Sequence, residues 1–167
     1  METPTRIEGF TIRHAEEKDV SLILRFINEL AVYEKLEHQA VATEDLIRQH
    51  LFGEQPSAEV IIGEFKGKPI GFALFYNNFS TFLGKPGIHL EDLYVDPDER
   101  GKGFGKNLLA YLAKLAVDRN CGRLEWSVLD WNEPSMKFYQ SLGAELMKEW
   151  VVNRVSGENL DKLAEKF

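Results

Sequence analysis

Apolar and polar residues alternate from Phe10 to His14, the period of a half-buried strand. Val20, Ile23, Leu24, Ile27 and Ala31 then recur at helical spacing behind Glu16, Glu17 and Asp19, whose charges suit a helix N-terminus. A helix is expected to about Tyr33; if it runs on, Glu34, Glu37 and His38 share one face. Thr43 can cap a second helix, Glu44 to Leu51, ended by Phe52-Gly53. Val60 to Phe65 and Ile70 to Tyr76 are rich in β-formers and flank Lys66-Gly67-Lys68-Pro69, which predicts an antiparallel hairpin. Asn77 to Gly87, with Gly84, Pro86 and Gly87, reads as a loop carrying Phe79 and Phe82.

Ile88 to Val95 reads as the central strand, stopped by Asp96-Pro97. Simple alternation puts Glu91 with Leu93 and Val95 on one face and Asp92 with Tyr94 on the other, so the adjacent carboxylates are not expected to act as a pair. Leu108, Leu109, Leu112, Leu115 and Ala116 form the apolar stripe of a long helix, and Leu124 to Leu129 is another strand. A short helix follows Trp131 to Ser135, carries Met136, Phe138, Tyr139 and Leu142, and ends at Gly143. Two last strands, about Glu145 to Lys148 and Trp150 to Val155, and a terminal helix over Asn159 to Lys166 complete the prediction. This order is mixed α/β: a central mixed, mostly antiparallel sheet with helices on both faces.

The length of 167 residues suits one domain, 1–167, with a sizeable core. Lys plus Arg number 20 against 27 for Asp plus Glu, a net charge of −7, so nucleic acid is not expected as a partner and a small cation is. Cys121 is the single cysteine, which excludes an internal disulfide and a multi-cysteine metal site. His14, His38, His50 and His89 lack metal-ligand spacing, so no metal is expected. Met1 to Phe10 lacks the apolar core of a signal peptide, and the longest apolar stretch, Ile70 to Tyr76, is too short for a membrane span. A cytoplasmic protein with no membrane partner is expected.

Chemistry concentrates at Arg100-Gly101-Lys102-Gly103-Phe104-Gly105-Lys106, where three glycines in five residues precede a helix whose free N–H groups can hold an anion. A P-loop reading fails at Arg100 and Asn107, and the dinucleotide fingerprint fails at Lys106. What remains is Arg-x-x-Gly-x-Gly. This resembles the acetyl-CoA pyrophosphate loop of the GCN5-related N-acetyltransferases. Asn28 to Glu34, Leu90 to Val95 and Trp131-Asn132-Glu133-Pro134-Ser135-x-x-Phe138-Tyr139 are similar to the diamine (spermidine/spermine) and thialysine branch of that family.

The resemblance implies a sheet splayed at the fourth strand, acetyl-CoA as co-substrate, a small-molecule amine as acceptor and a homodimer. It assigns main-chain contacts with the pantetheine arm to Leu93, Tyr94 and Val95, the pyrophosphate to Arg100 and Gly101 through Lys106, and further cofactor contacts to Asn132 and Ser135. Asn132 also suits a plain N-cap before Glu133-Pro134. Tyr139 is implied as the acid that protonates the CoA thiolate, its other reading being a buried aromatic. Glu91 is implied as the acceptor of the amine proton, directly or through water, or as an orienting charge. The backbone N–H of Leu93 or Tyr94 would stabilise the thioester oxygen. The implied mechanism is direct transfer in a ternary complex.

Tyr33, Glu34 and Glu37 match an acidic amine-binding region, and Phe82 matches an aromatic that receives the acceptor. Ser80 stands where the polyamine enzymes have a carboxylate, which opens the choice to a shorter amine or a thialysine-like amino acid. Acetylation of a protein or peptide amine, and a non-catalytic acetyl-CoA sensor, are the other readings.

Overall fold

The computed structural model describes residues 2–167. They divide into two compact units, the first extending to Ser127 and the second comprising Val128–Phe167. In the first unit β1 (Glu2–Pro4), β2 (Phe10–His14), β3 (Glu59–Phe65), β4 (Lys68–Ser80), β5 (Lys85–Val95) and β6 (Leu124–Trp126) form one sheet in sequence order. The first five strands are antiparallel neighbours and β6 runs parallel to β5. The strand counted fourth from the sequence is therefore β5, because Glu2–Pro4 adds a short edge strand.

Helices α1 (Val20–Glu34) and α2 (Glu44–Phe52) lie between β2 and β3 in the chain, and α3 (Phe104–Asp118) between β5 and β6. The apolar stripe of α1 buries Val20, Ile23, Phe26 and Leu30 against Val60, Ile62, Phe72 and Tyr94. Phe26 stacks on Phe72 at 5.4 Å between ring centroids. On the opposite face, Phe104 at the start of α3 meets Phe10 at 4.6 Å and Phe65 at 5.0 Å. Thr43 caps α2 by accepting the Leu46 N–H, as expected.

A part-buried ion network ties β2 and β3 to the entry of α1. Arg13 donates through Nη1 and Nη2 to Asp19, at 2.7 and 2.9 Å, and through Nε to Glu64 at 2.8 Å. Asp19 also accepts the Glu16 N–H at 2.8 Å. Burial pushes the Asp19 carboxyl up, but the Arg13 guanidinium and that N–H outweigh it and hold the pKa below the ordinary value.

Two sequence expectations change, in the loop after β4 and in the second unit. The loop over Asn77 to Gly87 is mostly strand, since β4 and β5 stay paired out to Ser80 opposite Lys85. The turn residues there are specific to 81–84, where Ser80 Oγ accepts the Leu83 N–H and Gly84 takes φ +62. The first helix ends at Glu34, within one residue of the expected Tyr33, and does not run on. Lys35 takes φ +61 and the Leu36 N–H closes back on the Ala31 C=O at 2.9 Å, so Glu37 falls in a separate 3₁₀ turn, Glu37–Gln39.

In the second unit, α4 (Glu133–Ser141) and α5 (Glu158–Ala164) form as expected, but the described residues between them contain no strand. Trp150, Val151 and Val152 are β-formers without a partner strand, and β-propensity needs a ladder to act on.

Candidate functional site

Two glycines shape the loop between β5 and α3. Gly101 and Gly103 take φ of +78 and +85, which a side chain disfavours, and space is open above Gly101. Gly103 is the N-cap of α3 and offers no side-chain cap. The first helical bond runs from the Asn107 N–H to the Gly103 C=O at 3.0 Å. Among the described residues, the N–H groups of Gly101 through Lys106 find no acceptor. Six successive amides at a helix N-terminus make a concave donor set for an anion. This fits a pyrophosphate on the donor chemistry alone.

The cations around the loop are used differently from each other. Lys102 pairs with Glu99 at 2.7 Å, while Lys106 is exposed on the first turn. Arg100 donates Nε–H to the Val95 C=O at 2.9 Å. Its guanidinium lies over the Tyr33 ring at 4.6 Å and within 5.6 Å of the Tyr94 ring.

The sheet opens beside this loop. β5 pairs with β4 as far as Val95, but with β6 only over Ile88 to Leu90. The Asp96 N–H donates to the Ile70 C=O at 2.8 Å, so by alternation the Tyr94 and Asp92 amides also face β4. Those of Leu93 and Val95 then face the edge that β6 has left. Of the two amides expected for the thioester oxygen, Leu93 has the open direction and Tyr94 does not. The Tyr94 N–H faces the paired strand β4, and its ring packs on Phe26 at 5.7 Å.

A β-bulge explains the opening and rearranges the carboxylates. Leu74 pairs with Asp92 and Phe75 with Leu90, which leaves Glu91 as the extra residue. The bulge shifts the phase of the strand by one. Tyr76 shares its face of β4 with Leu74 and Phe72, and His89, opposite it, stacks on its ring at 5.0 Å. Glu91 reaches His89 Nε2 at 3.7 Å, so Glu91 and Asp92 both project toward the face that carries α1. The simple alternation that separated them, with Glu91 beside Leu93 and Val95, does not hold.

Asp92 is the residue that the sequence reading left without a role. Its carboxyl is pushed up to about 6, first by burial and then by the charges of Glu91 and Glu34. Burial also raises Glu34, at the last turn of α1. Among the described residues neither Asp92 nor Glu34 makes a salt bridge, and Glu91 has only His89. Three carboxylates gathered without a cation favour a cationic guest. The signal available in the sequence was the run Glu91-Asp92 itself, but only the bulge puts both on one face.

Phe82 is not brought to this cluster within one chain. It stands at the tip of the β4–β5 hairpin, 93% exposed. From Leu90 to Lys85 the hairpin runs about 17 Å. Ser80, at the lost carboxylate position, is buried and serves the turn. Glu37 is exposed in its 3₁₀ turn. In the second unit Asn132 caps α4 by accepting the Ser135 N–H at 3.3 Å, and Tyr139 packs on Phe138 at 5.3 Å. Among the described residues no group of three or more His, Cys, Asp or Glu could hold a metal, and no helix is long and apolar enough to cross a membrane.

Residues 24–144 match the family model described as Acetyltransferase (GNAT) family. The chain is 39% identical to the thialysine N-epsilon-acetyltransferase of Bos taurus, over 93% of this chain and 97% of that protein. It is 32% identical to the L-ornithine N5-acetyltransferase of Arabidopsis thaliana, over 96% of this chain and 91% of that one. An integron cassette protein from the mobile metagenome of V. cholerae superposes with a TM-score of 0.80 at 30% identity, covering 95% of this chain and 99% of its own. With a family match over most of its length and relatives similar from end to end, the chain belongs to the acetyltransferase (GNAT) family and is an N-acetyltransferase.

Proposed function

We propose that this protein moves the acetyl group of acetyl-CoA to the primary amine of a small cationic acceptor, by direct transfer in a ternary complex. The observation that carries the acceptor class is the group of Glu34, Glu91 and Asp92, unneutralised by any lysine or arginine among the described residues. Relatives named for thialysine and ornithine, together with Ser80 in place of a carboxylate, support a short amino-acid side-chain amine over a long polyamine.

In this reading the amides of Gly101 through Lys106 hold the pyrophosphate of acetyl-CoA, which supplies an activated acetyl thioester, and the Leu93 and Val95 edge receives the pantetheine arm. An alkylamine has a pKa of about 10.4 and reaches the site protonated. Asp92 and Glu91 draw the ammonium in and accept its proton, and a group poised near pH 6 both releases and accepts protons readily at neutral pH. The Leu93 N–H stabilises the developing oxyanion. Tyr139 donates its phenolic proton to the thiolate, and Asn132 and Ser135 add cofactor contacts, on the strength of the motif match. The family match over residues 24–144 supports reading the chain as an acetyltransferase domain. A cytoplasmic homodimer completes the proposal.

The test is thiol release from acetyl-CoA with thialysine, ornithine, lysine, diamines, spermidine and short peptides. Turnover on the amino-acid amines with kcat/KM at least about 10-fold above that on spermidine is expected. Preference for peptides would make it a protein acetyltransferase, and binding of acetyl-CoA without turnover on any amine would make it a sensor.

A further inference from the structure

Arg100 makes contacts of its own within the chain. Its Nε–H is committed to the Val95 C=O at 2.9 Å, on the strand edge that β6 has left. The flat guanidinium is laid over the Tyr33 ring at 4.6 Å, with the Tyr94 ring at 5.6 Å. No carboxylate pairs with it among the described residues. Each contact uses the planar fork, which a lysine ammonium cannot reproduce.

The position of those contacts matters more than their number. Arg100 immediately precedes Gly101, the first residue of the amide cradle. Tyr33 immediately precedes Glu34, whose charge bears on Asp92, and the helix stops one residue later where Lys35 turns to φ +61. One side chain therefore spans from the first residue of the cofactor loop to the last turn of α1. The Tyr33 side of that span is the frayable end of a helix, held by a single αL turn.

We propose that Arg100 is a positioning residue that couples the acetyl-CoA loop to the amine end of α1, so that ordering the loop by the acetyl donor orders Tyr33 and Glu34 for the acceptor. This rests on the acetyltransferase reading above. Cofactor binding and amine binding are then linked through Arg100, and loss of the link acts on the amine before it acts on acetyl-CoA.

The test uses the full chain and Arg100→Lys, Tyr33→Leu and the double variant. Hydrogen exchange of residues 30–36 is followed with and without acetyl-CoA, beside acetyl-CoA Kd and amine KM. In the wild type, acetyl-CoA slows exchange there by about 5-fold or more. Arg100→Lys and Tyr33→Leu each abolish that protection. In Arg100→Lys, acetyl-CoA Kd stays within about 3-fold while amine KM rises about 10-fold. The double variant is no worse than the more affected single one, because both remove the same contact.

Protection that persists in Arg100→Lys overturns the proposal, as does a variant that weakens acetyl-CoA and leaves amine KM unchanged. Fold-changes that multiply in the double variant overturn it too. Should Arg100→Lys lose its native melting transition, protection retained in Tyr33→Leu overturns the link by itself, and protection lost supports it. Absence of wild-type turnover on every amine overturns the acetyltransferase reading beneath it, a result separate from all of these because it appears before any variant is made.

Discussion

Asp92 carries the densest set of consequences of any side chain in the first unit. Its carboxyl titrates near 6 in the fold and near 3.9 in an unfolded chain. Between those values the folded state binds more protons, so this contribution to stability is full below about pH 4 and is lost as pH rises through 6. Asp92→Asn is therefore expected to raise Tm at pH 7.5 and to leave it nearly unchanged at pH 4. The same substitution should lower kcat/KM by about 10²-fold at pH 7.5 and remove an acidic limb near pH 6 from the wild-type profile. A limb that survives in Asp92→Asn would move the proton to Glu91 alone. Tyr139→Phe should lower kcat about 10-fold to 10³-fold with acetyl-CoA affinity nearly constant, and unchanged turnover would remove Tyr139 from the acid role.

Among the elements, β5 and the loop after it do most of the positioning. Gly103→Ala keeps the loop's charge but places a side chain at φ +85, a strain of about 1–2 kcal/mol, and should weaken acetyl-CoA binding by about 10-fold, measured by titration calorimetry. The entry of α1 depends on the Arg13–Asp19 pair, whose side chains are 14% and 7% exposed. Asp19→Ala leaves the half-buried Arg13 guanidinium with Glu64 and the His14 C=O and should cost about 1–3 kcal/mol in chemical denaturation at pH 7. Because the Asp19 pKa is depressed, that contribution is present above the unfolded value of about 3.9 and is lost as pH falls through the folded one. The gap between wild type and variant should therefore narrow on acidification.

The molecule as a whole carries a net charge of −7. Attraction of a cationic acceptor to an acidic protein is screened by salt, so amine KM should rise between low and physiological ionic strength more than acetyl-CoA KM does. Trp150, Val151 and Val152 are exposed by more than two thirds in the second unit, and the proposed homodimer is tested by mass. Sedimentation at micromolar concentration is expected to return twice the 19.1 kDa of the chain; a mass of one chain would remove the dimer from the proposal.

Much of this was legible without coordinates, for reasons that are local. Helical spacing in Val20 to Ala31 and Leu108 to Ala116, the Thr43 and Asn132 caps and the glycines at 101 and 103 act through neighbours a few residues away, so the sequence by itself determined them, and with them the anion cradle. Non-local pairing was not legible. Whether 77–80 joined β4 depended on a partner at 85–88, and the β-formers at 145–155 found none. Above all, the extra residue that makes Glu91 a bulge is defined only against Phe75 and Leu74 on another strand. The glycine-rich loop carried the anion cradle in its local backbone chemistry; the grouping of Glu34, Glu91 and Asp92, and Arg100 over Tyr33, were decided by tertiary structure, because a side chain's face and its distant neighbours exist only once the strands have paired.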